Sequence, residues 1–274
     1  MKGYEMSEKE FYRKWYRKPE KSAESDGPED LWDSDLYPER GEVLKRLGEL
    51  SGKTVMCLGN GEQMKEIFFG TSADVIISDI VTKGIERVRQ KCPAGYSVHF
   101  CCADAVKMPL ADSSVDVVYG WQMSHHLCSV DAFLSEVRRV LKDGGMGIFV
   151  DNAGSPVWHA VKWKLFRPLT EVFLKKRGVS RRDLEFSRGG DYDQARLEEQ
   201  VTEAGFHSFH AERFNFISYI MLKSLRDLFR LRVSRKNRMI YPVALTLSRF
   251  DRALAAVCPA YGRNLRNMVW SFRK

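Results

Sequence analysis

The stretch Thr54-Val55-Met56-Cys57-Leu58-Gly59-Asn60-Gly61-Glu62-Gln63 constrains this chain more than any other. A β-branched and apolar run stops at Gly59, a second glycine follows at Gly61, and Met64-Lys65-Glu66-Ile67-Phe68 continues at helical spacing. This reads as a strand, a tight glycine turn and a helix start. Glycines in the turn let the backbone approach a ligand, and the first N–H groups of the helix point at whatever the turn holds. Twenty positions after Gly59, Asp79 closes a second strand, Val75-Ile76-Ile77-Ser78. An acid at that tip suits a pair of ribose hydroxyls.

Strand and helix patterns then alternate. Strands are expected at Thr54–Leu58, Asp74–Ser78, Ser97–Cys101, Val115–Tyr119 and Met146–Val150, with helices at Pro38–Leu50, Glu62–Phe69, Lys83–Gln90 and Val130–Leu141. Ser129 is placed to cap the last of these, with Gly144 just past its end. Later come a helix at Gln194–Ala204 and strands at Ser208–Phe214 and Asn267–Phe272. The order calls for an α/β, Rossmann-like doubly wound, mostly parallel seven-stranded sheet with helical cap insertions. Ligands bind such sheets at the carboxyl ends of the strands. Gly59, Asp79, Asp104, Gly120 and Asp151 all fall there.

Three parts are expected: an N-terminal arm or lid at 1–37, a central domain at 38–216 and 263–274, and cap insertions at 152–190 and 217–262. The net charge of +8 is uneven, because residues 154–274 carry 24 Lys and Arg against 11 Asp and Glu. Six scattered cysteines form no C-x-x-C pair, which points to buried thiols in a reducing compartment and to no metal site. No apolar run approaches the roughly 18 residues of a membrane span, and the start of the chain lacks a signal-peptide pattern. A cytoplasmic location, with peripheral membrane contact, is the expectation.

From about residue 40 to 151, and more weakly over 190–214, the sequence resembles the class I S-adenosylmethionine-dependent methyltransferases, in the small-molecule "type 11" branch. Met56-Cys57-Leu58-Gly59-Asn60-Gly61 looks like the family's glycine motif. Ala103-Asp104-Ala105, Met108-Pro109-Leu110 and Asp112-Ser113-Ser114-Val115-Asp116 follow its next stretch. His125-His126-Leu127 and Val140-Leu141-Lys142-Asp143-Gly144-Gly145 match two later signatures. The resemblance implies S-adenosylmethionine as cofactor. It would be held by Gly59, Asn60 and Gly61 in the turn, Asp79 and Ile80 at the second strand tip, Asp104 and Ala105 after the third, and Gly120 and Trp121 at the fourth. Asp104 would accept from the adenine amine. Two positions depart from the family: Cys57 stands where an acid is usual, and Gln63 where a third glycine is common.

Methyl transfer asks mainly that the nucleophile be held in line, with a base where the acceptor is a hydroxyl. His125 and His126 are the catalytic candidates, with packing as the competing reading, and His159 stands behind them. Lys162, Lys164, Arg167, Lys223, Arg226 and Arg230 make the caps basic, beside an apolar set of Ile217, Ile220, Met221, Leu225 and Leu228. The partners expected are a small-molecule, glycan or lipid-linked acceptor bearing anionic groups, or an anionic membrane surface. A solvated basic face is the plain alternative. Nucleic acid is disfavoured, since Tyr119-Gly120-Trp121-Gln122 is unlike the family's base-amine motif. An RNA methyltransferase, a non-catalytic S-adenosylmethionine-binding protein and a nicotinamide-binding reductase remain as rivals.

Overall fold

The computed structural model describes residues 37–59, 68, 71–92, 95–155, 157, 191–218, 221 and 239–274. Seven strands form one sheet in the order β3-β2-β1-β4-β5-β7-β6. They are β1 Thr54–Leu58, β2 Asp74–Asp79, β3 Val98–Cys102, β4 Val115–Trp121, β5 Leu141–Asn152, β6 His207–Phe214 and β7 Asn267–Arg273. The first five run parallel, and β7 enters antiparallel between β5 and β6. The central strands read as near-continuous apolar runs because both faces are covered.

Helices α1 (Pro38–Leu47) and α2 (Thr82–Lys91) cover one face, where Val43 and Leu47 pack with Val55, Val117 and Ile148. Helices α3 (Val130–Val140) and α4 (Gln194–Glu203) cover the other. There Phe133, Leu134 and Val137 meet Phe149 and Trp270. α3 starts as its sequence predicts: the Ser129 side chain accepts from the Ala132 N–H at 3.2 Å. It ends one residue early at Val140, because the chain enters β5 directly and Leu141 pairs with Val115. α1 ends at Leu47, short of the expected Leu50, where Gly48 caps it. Of the expected helix 62–69 only Phe68 is described, and it is helical.

Two more helices, α5 (Ile240–Val257) and α6 (Pro259–Gly262), fall within the expected second cap. α5 is fixed by one buried acid. Asp251 accepts the N–H groups of Phe216, Ile217 and Ser218 at 3.0, 3.0 and 2.9 Å, together with the Ser218 and Tyr261 hydroxyls. Three consecutive amides leaving the end of β6 thus find their acceptor on a helix more than thirty positions away. The arm at 1–36 and residues 158–190, with His159, Lys162, Lys164 and Arg167, lie outside the described residues. So do Ile220, Lys223, Leu225, Arg226, Leu228 and Arg230.

Candidate active site

Strand ends bring the expected cofactor residues to one edge. Gly59 leaves β1 with φ +70°, a conformation in which a Cβ is strained. A Cβ there would also stand 2.8 Å from Met123 Cβ, so the turn closes over Met123 only with glycine. Asn60 and Gly61, like Gln63, lie outside the described residues. Asp79 ends β2 and is buried, with Oδ1 accepting the Val81 N–H at 2.9 Å. That bond holds the carboxylate at the strand tip beside half-buried Ile80. Past β3, Asp104 is exposed and accepts the Val106 N–H at 3.1 Å, with Ala105 packed against the core. The backbone ties the two acidic loops together, since the Ala103 N–H donates to the Asp79 carbonyl at 3.1 Å.

Gly120 and Trp121 end β4. A Cβ on Gly120 would meet Phe149 Cδ1 at 2.8 Å and Met123 Cγ at 3.0 Å, so packing requires this glycine. Met123, unremarked in the sequence, therefore fits against both glycines. Cys57 is fully buried in the α1-side core with Tyr119, whose phenol burial pushes well above its ordinary value. Above them the Arg40 guanidinium of α1 lies 4.5 Å from the Tyr37 ring and 6.0 Å from the Trp121 ring. Asp112 and Asp116 serve the fold: Asp112 accepts from Arg139, and Asp116 from the Thr54 N–H and Lys142.

Next to Arg40, Glu39 is buried and accepts the Asn215 and Asn267 amides at 2.7 and 2.9 Å. Desolvation raises its pKa, and the nearby Arg40 and the two amides pull only partway back. The native state then keeps this proton to higher pH than the unfolded chain does. The stability that Glu39 contributes is fully present below the ordinary carboxyl value and is lost as pH rises through the raised one. In urea unfolding from acid to neutral pH, Glu39→Gln is expected to flatten that decline; an unchanged slope would refute the assignment.

The histidines follow β4 in a single 3-10 turn, Ser124–His126. His125 is buried, and its Nδ1 lies 2.7 Å from Oδ1 of the fully buried Asp151 at the end of β5. Asp151 also accepts from Ser124 Oγ at 2.5 Å and Trp270 Nε1 at 3.1 Å. The Tyr192 hydroxyl donates to Ser124 Oγ at 3.1 Å, and burial raises the Tyr192 phenol pKa strongly. A carboxylate can only accept, so it fixes the proton of neutral His125 on Nδ1 and leaves Nε2 as the basic nitrogen. His126 stacks on His125 with ring centroids 4.1 Å apart. Both histidines thus lie just past the carboxyl end of β4, with His125 against the Asp151 carboxylate. Asp151 was legible as a strand-end acid; Ser124, Tyr192 and Trp270 carried no signal that linked them to it.

An acidic cluster of Glu42, His210 and Glu212 lies elsewhere, on α1 and β6. Arg46 already pairs with Glu42 at 2.6 Å and Glu212 at 3.6 Å, so a cation of the chain's own occupies it.

Residues 56–149 match the methyltransferase domain family. The chain is 35% identical over 117 residues to a demethylmenaquinone methyltransferase of Symbiobacterium thermophilum, covering 38% of this chain and 45% of that protein. It is 32% identical over 108 residues to an O-methyltransferase of Pyrenophora dematioidea, covering 38% and 40%. The matches therefore span less than half the length of these two curated relatives. Among solved structures, the phosphoethanolamine N-methyltransferase 2 of Haemonchus contortus in complex with S-adenosyl-L-methionine superposes with a TM-score of 0.55 at 16% identity, over 89% of this chain and 52% of that one. Residues 56–149 are thus similar in sequence to methyltransferase domains, and the sheet that encloses them has the fold of the solved methyltransferase.

Proposed function

We propose that this protein transfers the methyl group of S-adenosylmethionine to a small-molecule, glycan or lipid-linked acceptor that carries anionic groups or is held at a membrane, on the cytoplasmic side. The carrying observation is the glycine-only turn at Gly59 set on the same sheet edge as the anchored Asp79 carboxylate. The described residues fit the cofactor: Asp79 would hold the ribose hydroxyls and Asp104 the adenine amine. When bound, the sulfonium supplies an already activated methyl, so the chain's task is placement and proton removal. His125 Nε2, the ring nitrogen not engaged by Asp151, would take the proton of a hydroxyl acceptor. The excess of Lys and Arg over residues 154–274 supports an anionic acceptor. An RNA acceptor shares that charge argument and gains no other.

Calorimetric titration with S-adenosylmethionine, S-adenosylhomocysteine and NADH is the test. Binding of the two sulfur compounds and not of NADH is expected. Asp79→Ala should weaken both by roughly 2–3 kcal/mol, the value of charge-assisted hydrogen bonds lost to a carboxylate. An unchanged affinity in that variant would remove Asp79 from the ribose site.

A further inference from the structure

Helix α5 lies over the carboxyl edge of the sheet. Its Asp251 binds the 216–218 turn beyond β6, and Ala244 packs with Tyr37 just ahead of α1. Ala244, Ser248 and Asp251, spaced four and three apart, form its buried side. The outer side is open. Met239, one residue before the helix, is 84% exposed, Val243 53%, Phe250 49% and Val257 79%. With exposed Thr246 and Ala253 these positions repeat at steps of four and three, so they fall on one stripe running the length of the helix. The charged groups on the exposed surface of α5 are Arg249 and Arg252, and its one acid is the buried Asp251. Residues 217–262 as a whole hold nine Lys and Arg against two Asp and Glu.

We propose that the outer face of α5 docks on an anionic lipid surface. Met239, Val243, Phe250 and Val257 enter the headgroup boundary, while Arg249, on the flank of that stripe, and Arg252, further round toward the buried side, reach lipid phosphates with their long side chains. Charge decides the occupant. In an antiparallel self-pair Arg249, near the helix midpoint, would approach its own copy with no acid to balance it. Nucleic acid would use the arginines and leave the apolar stripe in water. A lipid surface satisfies both halves of the face. Docking this way turns the sheet edge bearing Gly59, Asp79 and His125 toward the membrane, and in that respect it rests on the proposed acceptor class; the surface itself rests on α5.

Cosedimentation of the full chain with vesicles of phosphatidylcholine alone, and of equimolar phosphatidylcholine and phosphatidylglycerol, tests it. Binding to the anionic vesicles that weakens with salt is expected, and about tenfold weaker binding for the double variant Val243→Asp, Phe250→Asp. Arg249→Gln with Arg252→Gln should weaken it by a similar factor. Both variants change exposed positions, and an unaltered thermal midpoint certifies their fold. Several results would overturn the proposal: no vesicle binding by the parent, equal binding by parent and variants, a parent dimer that the Asp variant dissociates, or salt-sensitive RNA retention without vesicle binding. Vesicle binding by a chain that fails to bind S-adenosylmethionine would support docking and overturn methyl transfer.

Discussion

Asp251→Ala is expected to cost roughly 4 kcal/mol of folding stability, the largest loss from any single side chain discussed above. Five donors converge on that carboxylate, three of them consecutive backbone amides, in a site with no measurable exposure. Removing the acceptor leaves buried N–H groups without partners, and each such group costs on the order of 1–3 kcal/mol. The mechanism is local and directional. Urea unfolding should show the midpoint falling, and hydrogen exchange at Phe216, Ile217 and Ser218 should accelerate ahead of exchange in β1 and β4. A loss below about 1 kcal/mol would mean that water replaces the carboxylate and that α5 is held by its apolar contacts alone.

The second large effect is expected at Asp151. In Asp151→Asn the amide must place its NH2 toward one set of donors. Facing Ser124 and Trp270 it would oppose two donors; on the Oδ1 side it meets the His125 backbone N–H at 3.4 Å, the longest of the four contacts, and His125 Nδ1, whose ring can answer by moving its proton to Nε2. The second arrangement loses less, so the variant should carry His125 as the Nε2–H tautomer. Nitrogen-15 NMR of the imidazole reads this directly: Nδ1–H in the parent, Nε2–H in the variant. Stability should drop by roughly 2–3 kcal/mol through the disturbed buried network. A hydroxyl acceptor would then face a donor where it needs a base, while S-adenosylmethionine affinity stays unchanged. Should the parent itself show Nε2–H, the role given to Asp151 fails whatever the stability result.

These two acids divide differently between sequence and structure. Asp151 follows the apolar run Met146–Val150, and an acid closing a buried strand is visible by position alone. Its function depends on Ser124 and Trp270, 27 and 119 positions away, and no local pattern links them. Asp251 lies inside a helical pattern and reads as one polar residue of an amphipathic face. Only the return of β6 beneath α5 turns it into a cap. The departures at element ends have the same origin. Leu141 has the hydrophobicity of a helix residue, yet pairing with Val115 takes it into β5.

What the sequence determined by itself is the set of features that local physics can write: strand periods, the glycine turn at Gly59, the acid twenty positions on, and helix starts such as Ser129. Each depends on residues within a few positions of one another, or on a spacing imposed by one βαβ unit. The tertiary structure alone decided which groups meet. Met123 fills the space that forbids a side chain at Gly59 and Gly120, Glu39 closes on Asn215 and Asn267, and the carboxylate of Asp151 chooses between two adjacent histidines. These contacts join strand ends from opposite parts of the chain, and the order in which strands enter a sheet is set by global packing, which no short window of residues contains.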